Sequence, residues 1–269
     1  MGAEELRQWF ELPDFLALVA EQGDGRLLGY ADRMTLGERN RVWIDLRVPP
    51  GEHAQAATDA LLAAMEAGAE LGAEVKASVA STEELATAAL VARGYAPDRY
   101  SFRMQIGLDG ELEPPSWPDG IALRPYVPDR DDEEIYRVQE ETFADMFDYT
   151  SVSYERWRGF AFLGAHDPSL WFLAGDGEEI VGISLCRPEL EGNRELGWVS
   201  TLGVRRAWRR RGLGIALLLH SFAELKARGK RFAGLGVDGQ SPTGAVQLYE
   251  RGGMHVARRF DQYSKTLPA

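Results

Sequence analysis

Val204-Arg205-Arg206-Ala207-Trp208-Arg209-Arg210-Arg211-Gly212-Leu213-Gly214-Ile215 is the stretch on which the fold and function of this chain turn. Before it, Leu196 to Val204 is an apolar run of strand type. After it, Gly212 to Arg228 is apolar nearly all round in its first turns, which predicts a helix lying against a sheet, with Gly229 as its stop. Gly212 and Gly214 place no Cβ between backbone N–H groups and an approaching anion. The first N–H groups of a helix have no partner inside it and carry partial positive charge. Arg209, Arg210 and Arg211 add cationic donors at the same mouth. Strand, bend and helix together therefore make a diphosphate cradle on physical grounds. No Lys-Ser/Thr pair follows the glycines, as a P-loop needs, and no acidic residue sits about 20 positions on at a strand end, as a dinucleotide fold needs.

Two plainer readings compete with the cradle. Five arginines in seven residues could form a solvated charged turn. They could also contact nucleic acid, but Trp208 is the only stacking aromatic among them, and the whole chain opposes that reading. Lys plus Arg is 30 and Asp plus Glu is 42, a net charge of −12. Such a surface argues against general affinity for nucleic acid or anionic lipid, and it favours cationic small substrates. Apolar residues at 45% and charged residues at 27% are in the ordinary globular range.

The single cysteine, Cys186, allows no disulfide within the chain and fits a cytoplasmic location. The acidic start, Met1 to Glu5, has no secretory apolar region, and the densest apolar stretch, Ile215 to Leu219, is too short for a bilayer. His53, His166, His220 and His255 are scattered, so no metal site is expected. Cys186 is read as buried and inert, and His220 as a core or interface residue.

Moving outward, the chain repeats itself. Val48 aligns with Val204 and Leu61 with Leu217, both 156 apart without a gap. Leu28-Gly29-Tyr30 aligns with Val181-Gly182-Ile183, and Leu90 to Gly94 with Leu248 to Gly252. A long period seen twice means two similar domains. Between them, 109–119 is rich in proline, glycine and acid and has no periodicity, so it reads as a linker. The domains are thus expected at 1–108 and 120–269.

The second copy predicts a strand at Ile121–Arg124 and a helix opened by Asp129 to Asp132, with Ile135, Val138, Thr142 and Met146 on its apolar face. A shorter helix is expected at Tyr154–Phe162. Strands at Trp171–Ala174 and Ile180–Cys186 should join at Asp176-Gly177. Leu196–Val204 and Phe232–Val237 are further strands, Thr243–Arg251 a helix and Gln262–Leu267 a last strand. The order gives an α/β or α+β layered fold. In the first copy, Phe15–Ala20 matches Trp171–Ala174, so the opening strand and first helix of the repeat have no room.

Arg209-x-x-Gly212-x-Gly214 after a strand resembles the acetyl-CoA loop of the GNAT acyltransferases. Ser241-Pro242-Thr243-Gly244-Ala245-Val246-Gln247-Leu248-Tyr249-Glu250-Arg251-Gly252 resembles their closing motif, in which a polar residue, often Asn, precedes an Ala-x-x-Leu-Tyr helix. The likeness covers about 121–267 and, degraded, about 12–108; the tandem layout is similar to that of mycothiol-synthase-like proteins. It implies two GNAT-like domains, each a mixed, mostly antiparallel twisted sheet flanked by helices, the N-terminal copy being truncated and degenerate.

The same resemblance implies roles. Leu202, Gly203 and Val204 would offer backbone hydrogen bonds to the pantetheine arm at a splayed strand edge. The segment Arg209 to Ile215, with Arg210, Arg211, Gly212, Leu213 and Gly214, would hold the pyrophosphate. Ser241 or Thr243 would replace the family's Asn. Tyr249 would be the acid that protonates the leaving thiolate; its plainer reading is a buried packing tyrosine. Glu195 is the family-position candidate for the base, against the plainer reading of a solvated loop carboxylate, with Asp145 and Asp148 as rivals. Asp145, Phe147 and Tyr149 are candidates for the acceptor cleft.

Opposite Arg209, Gly212 and Gly214, the first copy has His53, Ala56 and Thr58, and opposite Tyr249 it has Val91, so it is expected not to bind acyl-CoA. The expectation is a cytoplasmic enzyme, monomer or homodimer, moving acetyl from acetyl-CoA to a small-molecule amine without a metal, a membrane or nucleic acid. Alternatives are a CoA-binding sensor or scaffold, another acyl donor, or a protein N-terminus as acceptor.

Overall fold

The computed structural model describes residues 3–12, 14–36, 41–147, 149–164 and 166–268. The chain forms two compact units, one of Trp9–Ser101 with Arg258–Ala269, the other of Phe102–Ala257 with Met1–Gln8. This division departs from domains at 1–108 and 120–269. Residues 258–269 cluster with the first copy, and residues 102–108 with the second.

A short helix α1 (Ala3–Phe10) opens the chain. In the N-terminal unit, β1 (Phe15–Glu21), β2 (Leu27–Leu36) and β3 (Arg41–Arg47) form an antiparallel meander. Helix α2 (Ala54–Ala67) then crosses to β4 (Glu74–Ala80), which lies parallel to β3. Helix α3 (Glu84–Ala92) leads to β5 (Ala96–Gly107). Ile44, Leu61, Leu62, Met65, Val75 and Leu90 form the centre of its core.

In the C-terminal unit, β6 (Ile121–Pro125) precedes α4 (Asp132–Phe143) and α5 (Tyr154–Ala161). The strands β7 (Trp171–Asp176), β8 (Glu179–Arg187) and β9 (Leu196–Val204) follow, and each of the pairs β6/β7, β7/β8 and β8/β9 is antiparallel. Helix α6 (Leu213–Ala227) crosses to β10 (Phe232–Asp238), parallel to β9, and α7 (Ala245–Arg251) leads to β11 (His255–Thr266). From Arg258 onward β11 belongs to the N-terminal unit, where it pairs antiparallel with β4 from Phe260↔Ala80 to Thr266↔Glu74.

Strand β8 is apolar without alternation because it is covered on both faces. Ile183 and Leu185 meet Ile135, Val138 and Trp157 of α4 and α5. Val181 and Cys186 join Leu213, Leu217 and Phe222 of α6. His220 sits edge-on to Phe172, with ring centroids 4.6 Å apart, as a packing residue.

The repeat is a repeat of packing. A Cβ on Gly29 would come 3.2 Å from Leu61 Cδ1, and a Cβ on Gly182 would come 3.0 Å from Leu217 Cδ1. In each unit a strand glycine thus admits the same helix leucine, which is what the sequence alignment pairs. One turn differs. Helix α2 begins seven residues ahead of Leu61, whereas α6 begins four ahead of Leu217. The first copy has extended its helix through the residues that form the bend in the second.

Candidate functional site

The site is built where two strands part. Strand β9 pairs with β10 for three residues, Leu196↔Phe232, Gly197↔Ala233 and Trp198↔Gly234, and the register stops there. On its other edge the partner of β8 jumps from Thr201 to Val199, so Ser200 is an extra, bulged residue. A bulge bends its strand and increases the local twist, which turns the end of β9 away from β10. Between the diverging ends lies a cavity of about 370 Å³. Val199, Ser200 and Leu202–Val204 line one side, Leu235–Asp238 another. Beyond Trp198 the β10-facing edge of β9, which includes Leu202, Gly203 and Val204, has no strand pairing with β10.

Helix α4 closes a third side through Thr142 and Phe143, with Met146 beyond its end. The approach of α4 depends on Gly203, where a Cβ would come 2.5 Å from Thr142 Oγ1. Met146, expected on the buried face of α4, instead lies in the turn past it and is 40% exposed.

At the mouth, Gly212 caps α6 with φ +88°, and an added Cβ would meet nothing within 4 Å. Glycine is required there by backbone conformation and leaves the approach open. The N–H of Ala216 donates to Gly212 O at 3.1 Å. The N–H groups of Leu213, Gly214 and Ile215 therefore fall in the first turn, ahead of any helical acceptor. The side chains of Leu213 and Ile215 do not face the cavity. Leu213 is buried in the core and Ile215 packs beside it, so both are available only through their backbone. Gly214 lines the cavity and faces Leu248 Cδ1, which an added Cβ would approach to 3.2 Å.

The arginines separate into two groups. Arg209 donates from Nε to Val204 O (2.9 Å), from one terminal nitrogen to Asp145 Oδ2 (2.7 Å) and from the other to Thr142 O (3.3 Å). Arg206 also bonds Asp145. These bonds pull the Asp145 carboxyl down to about 2, so it is ionised across the neutral range. Arg210 lines the cavity, Arg211 does not, and neither bonds any described residue.

Helix α7 and the segment leading into it carry the remaining polar groups. Ser241 Oγ and Thr243 Oγ1 lie 2.9 Å apart, and both line the cavity. Gly244 at φ +75° starts α7 two residues later than expected. Tyr249 lines the cavity, is 9% exposed, and its hydroxyl bonds no described residue. Burial pushes its phenol up to about 12, so it keeps its proton through the neutral range.

Several expected residues lie elsewhere. Glu195 is at the far end of β9, with its side chain 57% exposed and paired with Arg231 at 3.2 Å, and it does not line the cavity. Asp145 braces the bend and is not in the cavity wall. Phe147 is 55% exposed and outside the wall. Tyr149 donates to Glu140; burial first and then that carboxylate raise its phenol well above the ordinary value, and it also lies outside the wall. Asp148 is outside the described residues. Sequence reasoning missed Asp238 and the bulge at Ser200. The signal for Asp238 was present, because it is an acid at the carboxyl end of a strand next to the closing motif. Among the described residues no helix is long and apolar enough to cross a membrane, and no group of three or more acidic, His or Cys residues could hold a metal ion.

The equivalent region of the N-terminal unit differs in kind. His53 caps α2 at φ −98°, and Ala57 N–H donates to His53 O at 2.9 Å. Donors that the bend leaves free in the second copy are taken up inside α2. Thr58, aligned with Gly214, is fully buried with its hydroxyl unpartnered.

Comparison with known proteins places this geometry. Residues 132–254 match the Acetyltransferase (GNAT) family. A mycothiol acetyltransferase of Thermobispora bispora is 33% identical over 172 residues, which are 62% of this chain and 58% of that protein, so the match spans a little over half the relative's length. The crystal structure of a GCN5-related N-acetyltransferase from Sphaerobacter thermophilus superposes with a TM-score of 0.78 at 32% identity, covering 98% of this chain and 85% of that one. A tandem GNAT protein from the clavulanic acid biosynthesis pathway superposes at 0.73 with 15% identity, covering 97% and 87%, a likeness of fold alone.

Proposed function

The chain belongs to the GCN5-related N-acetyltransferase family, and on that premise we propose that it transfers acetyl from acetyl-CoA to a primary amine of a small molecule, within the C-terminal unit. It is an acyltransferase; the donor, the acceptor class and the residue roles are our reading. One observation carries it. The cavity runs along the unpaired edge of β9 and ends where Arg209, Arg210 and Gly214 line it, beside the start of α6 that Gly212 caps. A pantetheine arm fits the first feature and a diphosphate the second.

In this reading the strand edge from Val199 to Val204 aligns the arm so that the thioester lies near Tyr249. The amine attacks the carbonyl carbon as its neutral form, the C–N bond forms and the C–S bond breaks. The departing sulfur takes the proton of the Tyr249 hydroxyl, and the proton released by the new amide nitrogen passes through water to the Tyr249 phenolate and restores it. The high pKa of Tyr249 supports this role because the proton is present whenever the thiolate forms. Ser241 and Thr243 hydrogen-bond the arm. Glu195 is not retained as the base, since it is distant from the cavity and paired with Arg231.

The mycothiol acetyltransferase relative supports a small-molecule acceptor, and the net charge of −12 supports a cationic one. The lone buried Cys186 thiol, pushed up to about 11 by burial, supports a cytoplasmic location. The N-terminal unit binds no acyl-CoA in this reading. The test is calorimetry with acetyl-CoA, then a free-thiol release screen over amines that includes polyamines, aminoglycosides and amino-acid derivatives. Micromolar binding with amine-dependent thiol release supports the reading. Binding without release by any amine favours a CoA-sensing module.

A further inference from the structure

The 205–211 segment carries five arginines, and the structure assigns them unequal environments. Arg205 is held by Glu134, Glu141 and Glu179. Arg206 is held by Asp145. Arg209 has all three guanidinium nitrogens engaged, on Asp145, Thr142 O and Val204 O. Arg209 and Arg210 both line the cavity and Arg211 does not, but of the two that line it only Arg210 bonds no described residue. Arg210 is also held at φ +63°, a backbone region that a side chain with a Cβ rarely adopts.

Resting on the acetyl-CoA reading above, we infer a division of labour at the bend: Arg210 is the side chain that meets the diphosphate, and Arg209, although it lines the cavity, is a positioning residue whose donors are already taken by Asp145, Thr142 O and Val204 O. A diphosphate reaching Arg209 would have to displace a carboxylate already paired with it. Reaching Arg210 displaces only water. The bonds of Arg209 do something else. They tie the end of β9, through Val204 O, to the end of α4, through Thr142 O and Asp145, and so fix two walls of the cavity against each other. The family-motif arginine is thus a brace in this chain, and its neighbour is the anion ligand.

The test uses the full chain, coenzyme A as the probe, calorimetry at low and high salt, and thermal unfolding of each variant. Arg210→Gln should weaken binding about tenfold, as expected for a lost charge-assisted contact, and flatten the salt dependence. Arg210→Lys should recover part of the loss. Arg209→Gln should weaken binding clearly less than Arg210→Gln does, keep most of the salt dependence and lower the unfolding temperature. Arg209→Lys, which keeps the charge facing Asp145, should restore the stability. Asp145→Asn should tighten binding severalfold, because it removes a negative charge and frees Arg209, and adding Arg209→Gln should cancel part of that gain. Two results overturn the assignment: Arg209→Gln weakening binding as much as Arg210→Gln, or Asp145→Asn weakening it. If the unaltered chain does not bind coenzyme A, the acetyl-CoA reading itself fails and the arginine assignment falls with it.

Discussion

Tyr249 shows how one residue's role depends on its surroundings. A phenol in water titrates near 10, and burial on the cavity wall moves this one up to about 12. Up to pH 11 it is therefore an acid with its proton in place, so its own titration should not limit kcat anywhere between pH 7 and pH 10. Tyr249→Phe should lower kcat about a hundredfold while leaving the Kd for acetyl-CoA within about twofold, as for loss of a proton donor. Steady-state kinetics beside calorimetry separates the two, and equal loss of both would make Tyr249 a packing residue. The two glycines of the bend divide similarly. Gly212 stands at φ +88° with open space around its missing Cβ, so Gly212→Val strains the backbone and fills the approach to the first-turn amides. It should cost about 1–2 kcal/mol of stability and abolish acetyl-CoA binding. Gly214→Ala meets the end of the Leu248 side chain at 3.2 Å and Val204 Cγ2 at an ordinary 3.8 Å, and should cost less than about 1 kcal/mol, with binding weakened modestly. Chemical denaturation and calorimetry on both variants check the contrast.

At the scale of elements, the sheet opens because β9 is bulged at Ser200 and stays open because α4 lies against Gly203. Gly203→Ala would drive a methyl to 2.5 Å from Thr142 Oγ1. The clash should cost about 1–3 kcal/mol, in the range of other overpacking changes, and raise the KM for the acceptor by displacing the wall that α4 supplies. Thr142→Ala in the same chain should recover part of both losses, and absence of any recovery would separate α4 from the cavity. The elements that were legible in the sequence are those set by local rules. The strand Leu196–Val204 and the helix after Gly212 follow from a mainly apolar run and from a glycine at the turn, which stands at φ +88°. What was not legible is set by neighbours. The bulge at Ser200 exists only relative to the β8 register. The direction of Arg209 depends on Asp145, 64 residues away in the chain. Glu195 illustrates the same limit, since its place just before β9 is legible but its ion pair with Arg231, at the end of the strand away from the cavity, is not.

At the scale of the molecule, the sequence repeat and the compact units disagree in an informative way. Composition marks 109–119 as a linker, and the repeat suggests cutting there. Yet the unit that holds the cavity also uses Phe102 to Leu108. Met104 and Leu108 are fully buried in its core, Ile106 packs beside them, and Leu108 N–H donates to Arg231 O at 2.8 Å next to β10. The N-terminal unit in turn uses 258–269. There β11 adds seven paired residues to β4, Tyr263 is buried, and Ser81 N–H and Gly72 N–H donate to Arg259 O and Pro268 O. A fragment of residues 120–269 would therefore lose a core strand from one unit and carry an orphaned strand of the other, with unpaired edges that favour aggregation. It should be insoluble or unfolded and bind no acetyl-CoA, although it contains every residue of the candidate site. Deleting 258–269 from the full chain should remove amide-exchange protection from β4 first, while β8 and β9 stay protected and acetyl-CoA still binds. Exchange mass spectrometry with calorimetry reads both variants. A soluble, binding-competent 120–269 fragment would mean that the strand Phe102–Leu108 is dispensable and that the linker is the true boundary between the units.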